Sequence, residues 1–303
     1  MRRVLSATIL LLACSLLPGN GSGRSYPPPD LDVKTSWEDF GLRGKVKSRV
    51  ESPLPAPVLS LRQNYDAKGR LVSEEAGTLD SLHFRSSYEY DASGRLTRSL
   101  TVYHPGSAAG SEVEVTYEYD ENGYVMAELE TRTPGGKLTR AYGYSAKGYV
   151  REWLDTTGGQ ERLYLMENHD SRGRITSRLC VNLEGYIAER AEYTYIPDRN
   201  AVMTVESKPD GKAISRELAT RDSLGRLLES YEYGPAGDTL RVSRYSYDDK
   251  GSLVECRQRD MLSGVETLLL YGYEYDQQGN AISIRESRNG EVVGERRVVL
   301  EYY

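Results

Sequence analysis

The 303-residue chain has little of what builds dense cores and reactive centres: two Phe, two Trp, three His and three Cys. No His pair has the helical spacing that zinc needs, no Cys-x-x-Cys occurs, and there is no nucleophile elbow. The common signatures of metal, redox and acyl-transfer chemistry are therefore missing, and neither a catalytic residue nor a metal or cofactor is expected. Basic residues are not in excess, with 39 Lys and Arg against 45 Asp and Glu. The two signs alternate along the chain. Neutralising phosphates takes a basic stripe, so nucleic acid is not an expected partner. No apolar run is long enough to cross a bilayer as a helix.

What is present begins with Arg2 and Arg3, followed by the apolar run Val4–Leu17 and the breaker Pro18–Gly23. That layout is an export signal, assigned to residues 1–23. Within it, Leu11-Leu-Ala-Cys14 resembles the lipobox of bacterial lipoproteins, which implies acylation at Cys14 and a membrane anchor through the N-terminus. The run continues through Leu16 and Leu17, so ordinary signal cleavage near Gly21 or Gly23 stands as the alternative. The expected location is the outer membrane or periplasm as a lipoprotein, otherwise secretion. Without Arg2 and Arg3 the chain has 37 basic and 45 acidic residues, a net charge of −8.

Residues 24–40 read as a tether and cap. Tyr26-Pro-Pro-Pro-Asp30 is proline-stiffened, Ser36 can cap a short turn, and Trp37 and Phe40 are apolar groups available to cover the first sheet edge.

Tyrosine, at 24 residues, is abundant, and it recurs in a pattern. Tyr88-Glu-Tyr-Asp-Ala-Ser-Gly-Arg-Leu96, Tyr117-Glu-Tyr-Asp-Glu-Asn-Gly-Tyr-Val125 and Tyr245-Ser-Tyr-Asp-Asp-Lys-Gly-Ser-Leu253 each read as strand, tight turn and strand. Alternation puts both tyrosines on one face. Asp bonds its own backbone two residues on, and Gly supplies the positive φ of the turn. The turn glycines and their aliphatic followers run Gly44/Val46, Gly69/Leu71, Gly94/Leu96, Gly123/Val125, Gly148/Val150, Gly173/Ile175, Gly225/Leu227, Gly251/Leu253 and Gly279/Ala281. An altered unit, Tyr193–Val202, has one extra residue and places Asn200 where Gly belongs; Asn is the next best residue for a left-handed position. Looser turns such as Pro209-Asp-Gly211, Pro235-Ala-Gly237 and Asn289-Gly290 divide the units. The pattern predicts an all-β domain over residues 41–303, with about ten hairpin units and roughly twenty antiparallel strands in meander order. Neighbour twist forbids a flat sheet, so a long twisted, coiled or wrapped one is expected. Val298–Tyr303 ends as a strand with no cap, an edge to be covered by a curled neighbour or offered to a partner. Cys180 and Cys256 fall about six strands apart, nearly 30 Å at roughly 4.8 Å per strand. A disulfide spans at most about 7 Å between Cα atoms, so both are expected to be free unless the sheet curls back.

Tyr65-Asp-Ala-Lys-Gly-Arg-Leu71 and Tyr90-Asp-Ala-Ser-Gly-Arg-Leu96, at this period, resemble the YD or RHS repeat family. The resemblance covers residues 41–303 and implies a wound β-sheet, which in large members forms a shell around a toxin. Here about ten units are present and the repeat pattern reaches the last residue, so a small exported member without a toxin segment is the expectation. Choline- and glucan-binding repeats share the aromatic-Asp-x-x-Gly core but are shorter and rich in Trp.

Individual residues add little chemistry. His169 replaces a motif tyrosine, which points to packing. Asp66, Asp91, Asp120, Asp170, Asp222, Asp248 and Asp276 give one carboxylate per turn, short of the six to eight oxygens calcium takes, so they are turn formers. The longest distal loop, containing Tyr103, His104 and Pro105, is the candidate contact site. Asp80-Ser-Leu82, Asp222-Ser-Leu224 and Asp238-Thr-Leu240 match a short bacterial O-glycosylation tripeptide. The expected function is non-catalytic binding or scaffolding in the cell envelope, with a protein or glycan as partner. The alternatives are an enzyme acting on envelope polysaccharide, with two carboxylates about 5–10 Å apart, or the remnant of a toxin shell. Function is expected where copies break the pattern: the Tyr103–Gly110 loop, the Pro197–Asn200 turn and the C-terminal edge.

Overall fold

A computed structural model of the chain describes residues 34–54, 60–78, 80–104, 111–145, 148–155, 161–182 and 187–303. Cys14, the segment 1–33 and the loop from Pro105 to Gly110 lie outside the described residues.

Twenty strands follow one another in hairpins. The first five are β1 (Val46–Leu54), β2 (Ser60–Tyr65), β3 (Leu71–Gly77), β4 (Leu82–Tyr90) and β5 (Leu96–Tyr103). Then come β6 (Glu112–Tyr119), β7 (Val125–Thr133), β8 (Lys137–Tyr144), β9 (Gly148–Asp155) and β10 (Glu161–His169). The second half begins with β11 (Ile175–Asn182), β12 (Ile187–Ile196), β13 (Ala201–Ser207), β14 (Ala213–Arg221) and β15 (Leu227–Tyr233). It ends with β16 (Thr239–Tyr247), β17 (Leu253–Asp260), β18 (Glu266–Tyr275), β19 (Ala281–Arg288) and β20 (Glu291–Tyr302). Each strand pairs antiparallel with its sequence neighbours, as the meander requires.

The sheet does not stay open. β20 pairs antiparallel with β1 from Val46↔Tyr302 to Leu54↔Glu295, closing a twenty-stranded barrel. The closed barrel corrects the expected coiled or wrapped sheet, and of the two fates expected for the C-terminal edge it is covering that occurs, because Val298–Tyr302 is paired with β1. Accumulated twist brings the first and last strands together, and pairing them removes both edges at once.

The seam copies the repeat. In a regular unit the register slips at the turn, so that Tyr65 opposes Leu71 although Asn64 opposes Ser73. The same slip occurs between Val46 and Ser48, with Val46 opposite Tyr302. Asp66 N donates to Arg70 O at 2.9 Å in the intact turn, and Tyr303 N donates to Lys45 O at 2.9 Å across the seam. Gly44, with φ +76°, stands where Gly69 stands, with φ +85°. One repeat is therefore split between the two ends of the sheet, its tyrosine in β20 and its glycine and aliphatic residue before and at the start of β1.

Ser36 and Asp39 form the expected capped turn. Ser36 N donates to Asp39 Oδ2 at 2.8 Å and Asp39 N donates to Ser36 Oγ at 3.2 Å. Trp37 and Phe40 do not cover the edge of β1, which β20 occupies. They pack instead on Val46, Tyr65 and Leu71 at one end of the barrel, and Trp37 Nε1 donates to Val46 O at 2.8 Å. Gly148 also departs from expectation. It lacks the positive φ of the other turn glycines and serves close approach, since a Cβ there would lie 1.9 Å from Glu167 O.

The register fixes the two faces. Tracing cross-strand partners from Tyr88 through Ser99, Val115, Glu130 and onward returns to Arg49 and Gln63 on the same face. Gln63, Ser86, Glu128, Glu130, Glu167, Ser230 and Ser243, the buried polar side chains of the strands, all lie on this tyrosine face. It is the more enclosed face, as the concave wall of a barrel must be. Three apolar clusters among the described residues each join near neighbours around the wall, in keeping with a strand number that leaves space inside. Both faces carry charge. The tyrosine face holds Arg140–Glu128 and Arg178–Glu167, and the opposite face holds Arg85–Glu75, Arg98–Glu89 and Arg257–Glu266. Among the described residues, neither face forms a continuous apolar belt. No helix among the described residues is long and apolar enough to cross a membrane.

Candidate functional site

The repeat residues build a lattice. In the turn Asp66–Arg70, Asp66 Oδ1 accepts from Lys68 N at 2.9 Å and Arg70 N at 3.0 Å, while Oδ2 accepts from Arg70 Nε at 2.7 Å. The Arg70 guanidinium then lies over the Tyr90 ring of the next unit, 4.8 Å from its centroid. Tyr90 Oη donates back to Leu71 O at 2.7 Å. The same linkage recurs at Arg95 and Tyr119 and at Arg226 and Tyr247, and Arg174 lies over Tyr195 in the same way. Where the arginine is replaced, at Ser252 and Asn280, the next tyrosine bonds the aspartate itself: Tyr275 Oη to Asp248 and Tyr302 Oη to Asp276.

Electrostatics follow this wiring. Backbone and side-chain bonds from Arg95 and Arg174 hold the Asp91 and Asp170 carboxyls below the usual range. At Asp66 burial works upward, but the bonds from Arg70 outweigh it and the net shift is down. Burial pushes the Tyr88 and Tyr119 phenols up to about 12. The expected turn role of the aspartates is thus what the geometry shows, and the motif tyrosines pack within the wall. His169 fills a tyrosine place as expected, its ring 6.2 Å from that of Tyr149, and burial lowers its pKa. Cys180 and Cys256 are free, six strands apart. Among the described residues no group of three or more His, Cys, Asp or Glu could hold a metal.

Of the candidate contact residues, Tyr103 rests against Phe84 at 6.2 Å between ring centroids, and its N–H donates to Ser111 O at 2.9 Å. His104 N donates to His83 O at 2.9 Å. Pro105 lies outside the described residues, so no shared site can be drawn from the three. The Pro197–Asn200 turn, by contrast, borders a recess of about 500 Å³. Pro197–Arg199 make a single 3₁₀ turn, and Asn200 is left-handed at φ +45°, as its place in the repeat predicts. Asn200 Nδ2 donates to Arg221 O and Asp222 O, both at 2.8 Å, fixing this turn to the next.

The recess is lined by Tyr193, Tyr195, Thr204, Glu217 and Arg221, with Ala201, Val202, Ala219 and Leu227 among its apolar walls. Sequence reasoning found the turn but missed Ala201, Glu217, Ala219 and Arg221. Aligning the tyrosine columns would have exposed two of these, because Ala219-Thr-Arg-Asp222 stands where Tyr-x-Tyr-Asp belongs.

No protein-family profile matches the chain. It is 26% identical over 212 residues to teneurin-3 of Danio rerio and 24% identical over 214 residues to teneurin-3 of Mus musculus. Each match covers 66% of this chain, but only 8% and 7% of the respective relatives. The chain thus spans under a tenth of the curated relatives it matches. Among solved structures, a porin-like protein from Bacteroides uniformis ATCC 8492 aligns over 92% of this chain and 100% of its own, at 13% identity and a TM-score of 0.40. A chain of the TcdB2-TccC3-Cdc42 structure aligns over 80% of this chain and 19% of its own, at 12% identity and a TM-score of 0.28. The sequence similarity to teneurins, which contain YD repeats, supports a YD- or RHS-like relationship for this all-β chain.

Proposed function

We propose that this protein is a non-catalytic binding or scaffolding barrel of the cell envelope, carrying a protein or glycan partner and tethered through an acylated Cys14. The observation that carries this reading is how the repeat side chains are used. Asp, Arg and Tyr of successive units bind one another, so the periodic residues are engaged in the wall, and the break in their lattice is a recess of ligand size. Among the described residues the recess is lined by one carboxylate, Glu217. Its register partner Glu232 is engaged by Arg241 at 3.3 Å, which favours binding over two-carboxylate hydrolysis. The anchor rests on Leu11-Leu-Ala-Cys14.

Mild crosslinking in native membranes followed by purification of the full chain tests the proposal, with a bound protein or glycan expected. Recovery of the protein alone, together with no glycan binding, overturns it. Hydrolysis of envelope polysaccharide that disappears in Glu217→Gln returns the enzyme reading. Palmitate labelling that vanishes in Cys14→Ser supports the anchor, and labelling that persists removes it.

A further inference from the structure

The recess is a deletion in the tyrosine lattice. In a regular unit three side chains fill the space beside the turn, as Arg70, Tyr88 and Tyr90 do. At the recess the same three places hold Ala201, Ala219 and Arg221. Two rings and the lattice guanidinium are absent. One guanidinium returns at Arg221, whose Nη1 donates to Gly225 O at 2.9 Å. The space left over is about 500 Å³, within the range of small-molecule sites.

The lining offers both hydrogen-bond polarities. Arg221 and Asn200 carry donors, Glu217 accepts, and the Thr204 and tyrosine hydroxyls do either. Glu217 differs from the buried glutamates of its face. Glu128, Glu130 and Glu167 are held by Arg140, Arg132 and Arg178. Glu217 has no hydrogen-bond or ion-pair partner among the described residues, and it sits in register between Thr204 and Glu232. Like charges directly opposed in a sheet cost stability. Enclosure by the wall first, and then Glu232, raise its pKa although the side chain is open to the recess. A cationic ligand would meet Arg221 and Arg174 at the recess, and an anionic one would meet Glu217 backed by Glu232 and Glu206. A neutral ligand rich in hydroxyl groups meets neither obstacle. Its hydroxyls donate to Glu217 and accept from Arg221, and its C–H face lies against tyrosine and alanine.

We infer that this recess binds a neutral pyranose sugar, as a mono- or disaccharide or the end of a longer glycan. The inference rests on the binding function proposed above and narrows its ligand to a saccharide at a named place.

Saturation-transfer NMR and calorimetry on the full chain, with galactose, mannose, N-acetylglucosamine and their disaccharides as probes, provide the test. Binding of at least one sugar is expected. Ala219→Tyr restores the repeat residue and fills the recess; it is expected to keep the melting temperature and weaken binding more than tenfold. Glu217→Gln alters an exposed side chain without filling space and is expected to weaken binding about tenfold, equivalent to 1.4 kcal/mol. If Ala219→Tyr does not fold, Glu217→Gln decides. No binding by any sugar, or undiminished binding in these variants, overturns the inference. Capture of an envelope protein that Ala219→Tyr leaves intact upholds the general function and overturns the sugar site.

Discussion

The Arg95 guanidinium lies 4.9 Å from the centroid of the Tyr119 ring, and Tyr119 Oη donates to Leu96 O at 2.7 Å. One unit's arginine and aliphatic residue thus hold the next unit's tyrosine from two sides. Each unit is completed only by its neighbour, the energetic logic of a repeat array.

The first prediction concerns that joint. Tyr119→Phe keeps the ring and removes the hydroxyl, leaving Leu96 O without this donor. Stability is expected to fall by about 1 kcal/mol. Arg95→Met is expected to cost a similar amount. Because the two side chains touch, the double variant in urea unfolding should show less loss than the two single losses added. Strict additivity would mean the hydroxyl's bond to Leu96 O does not depend on the guanidinium beside it.

Two glycines with the same backbone separate turn strain from end packing. Gly69 and Gly123 both have φ +85°. A Cβ at Gly123 meets nothing within 4 Å, whereas at Gly69 it would lie 2.5 Å from the Trp37 ring. Gly123→Ala is expected to cost roughly 1–2 kcal/mol from the left-handed conformation alone. Gly69→Ala should cost about 1–3 kcal/mol more through overpacking. Thermal unfolding of Gly69→Ala with Trp37→Ala should recover that second part if the Trp37 cap is seated there.

At the seam, Asn280 is the clasp. Its Oδ1 accepts from Arg43 N at 2.6 Å, and its Nδ2 donates to Arg43 O and Tyr302 Oη, both at 2.7 Å. Asn280→Ala strands these buried groups and is expected to cost about 2–3 kcal/mol. Hydrogen exchange should quicken first in β1 and β20. Uniform acceleration in all strands would show that the seam is no weaker than any other pairing.

The pH dependence has opposite signs at its two ends. Asp91 and Asp170 have folded pKa values below the ordinary aspartate value of 3.8, so their contribution is present above that value and is lost as pH falls through the lower, folded value. Stability should therefore be level through neutrality and decline below about pH 4. Tyr88, Tyr119, Tyr275 and Tyr302 are pushed up to about 12 from 10.0. Their contribution is complete below pH 10 and is lost as pH rises toward 12. Tyrosinate absorbance should accordingly rise together with loss of β circular dichroism; separate transitions would show that these phenols are solvated in the folded protein.

Much of the fold was legible because each hairpin is specified locally. Asp66 N donates to Arg70 O and Gly69 N to Asp66 O, bonds that stay within the turn, so one copy is enough to read its geometry. Asn200 could be assigned its left-handed place for the same reason. Gly148 could not, since the Glu167 carbonyl that forbids a Cβ there belongs to the next strand. The recess was half legible. The Pro197–Asn200 turn departs visibly from the pattern, but Ala219 and Arg221 do so only by lacking a tyrosine, and the cavity exists because the two altered units are neighbours in the wall.

The sequence by itself determined the strands, the turns, their antiparallel order and the sharing of one face by the tyrosines that precede the turn aspartates, because these follow from the alternation of side chains and the φ preferences of Asp, Asn and Gly. It also contained both halves of the divided repeat, Gly44-Lys-Val46 and Tyr302-Tyr303. Only the tertiary structure decided that they meet. Closure depends on the twist summed over all twenty strands, a quantity no single unit encodes, and it turns two exposed edges into one more copy of the same hairpin.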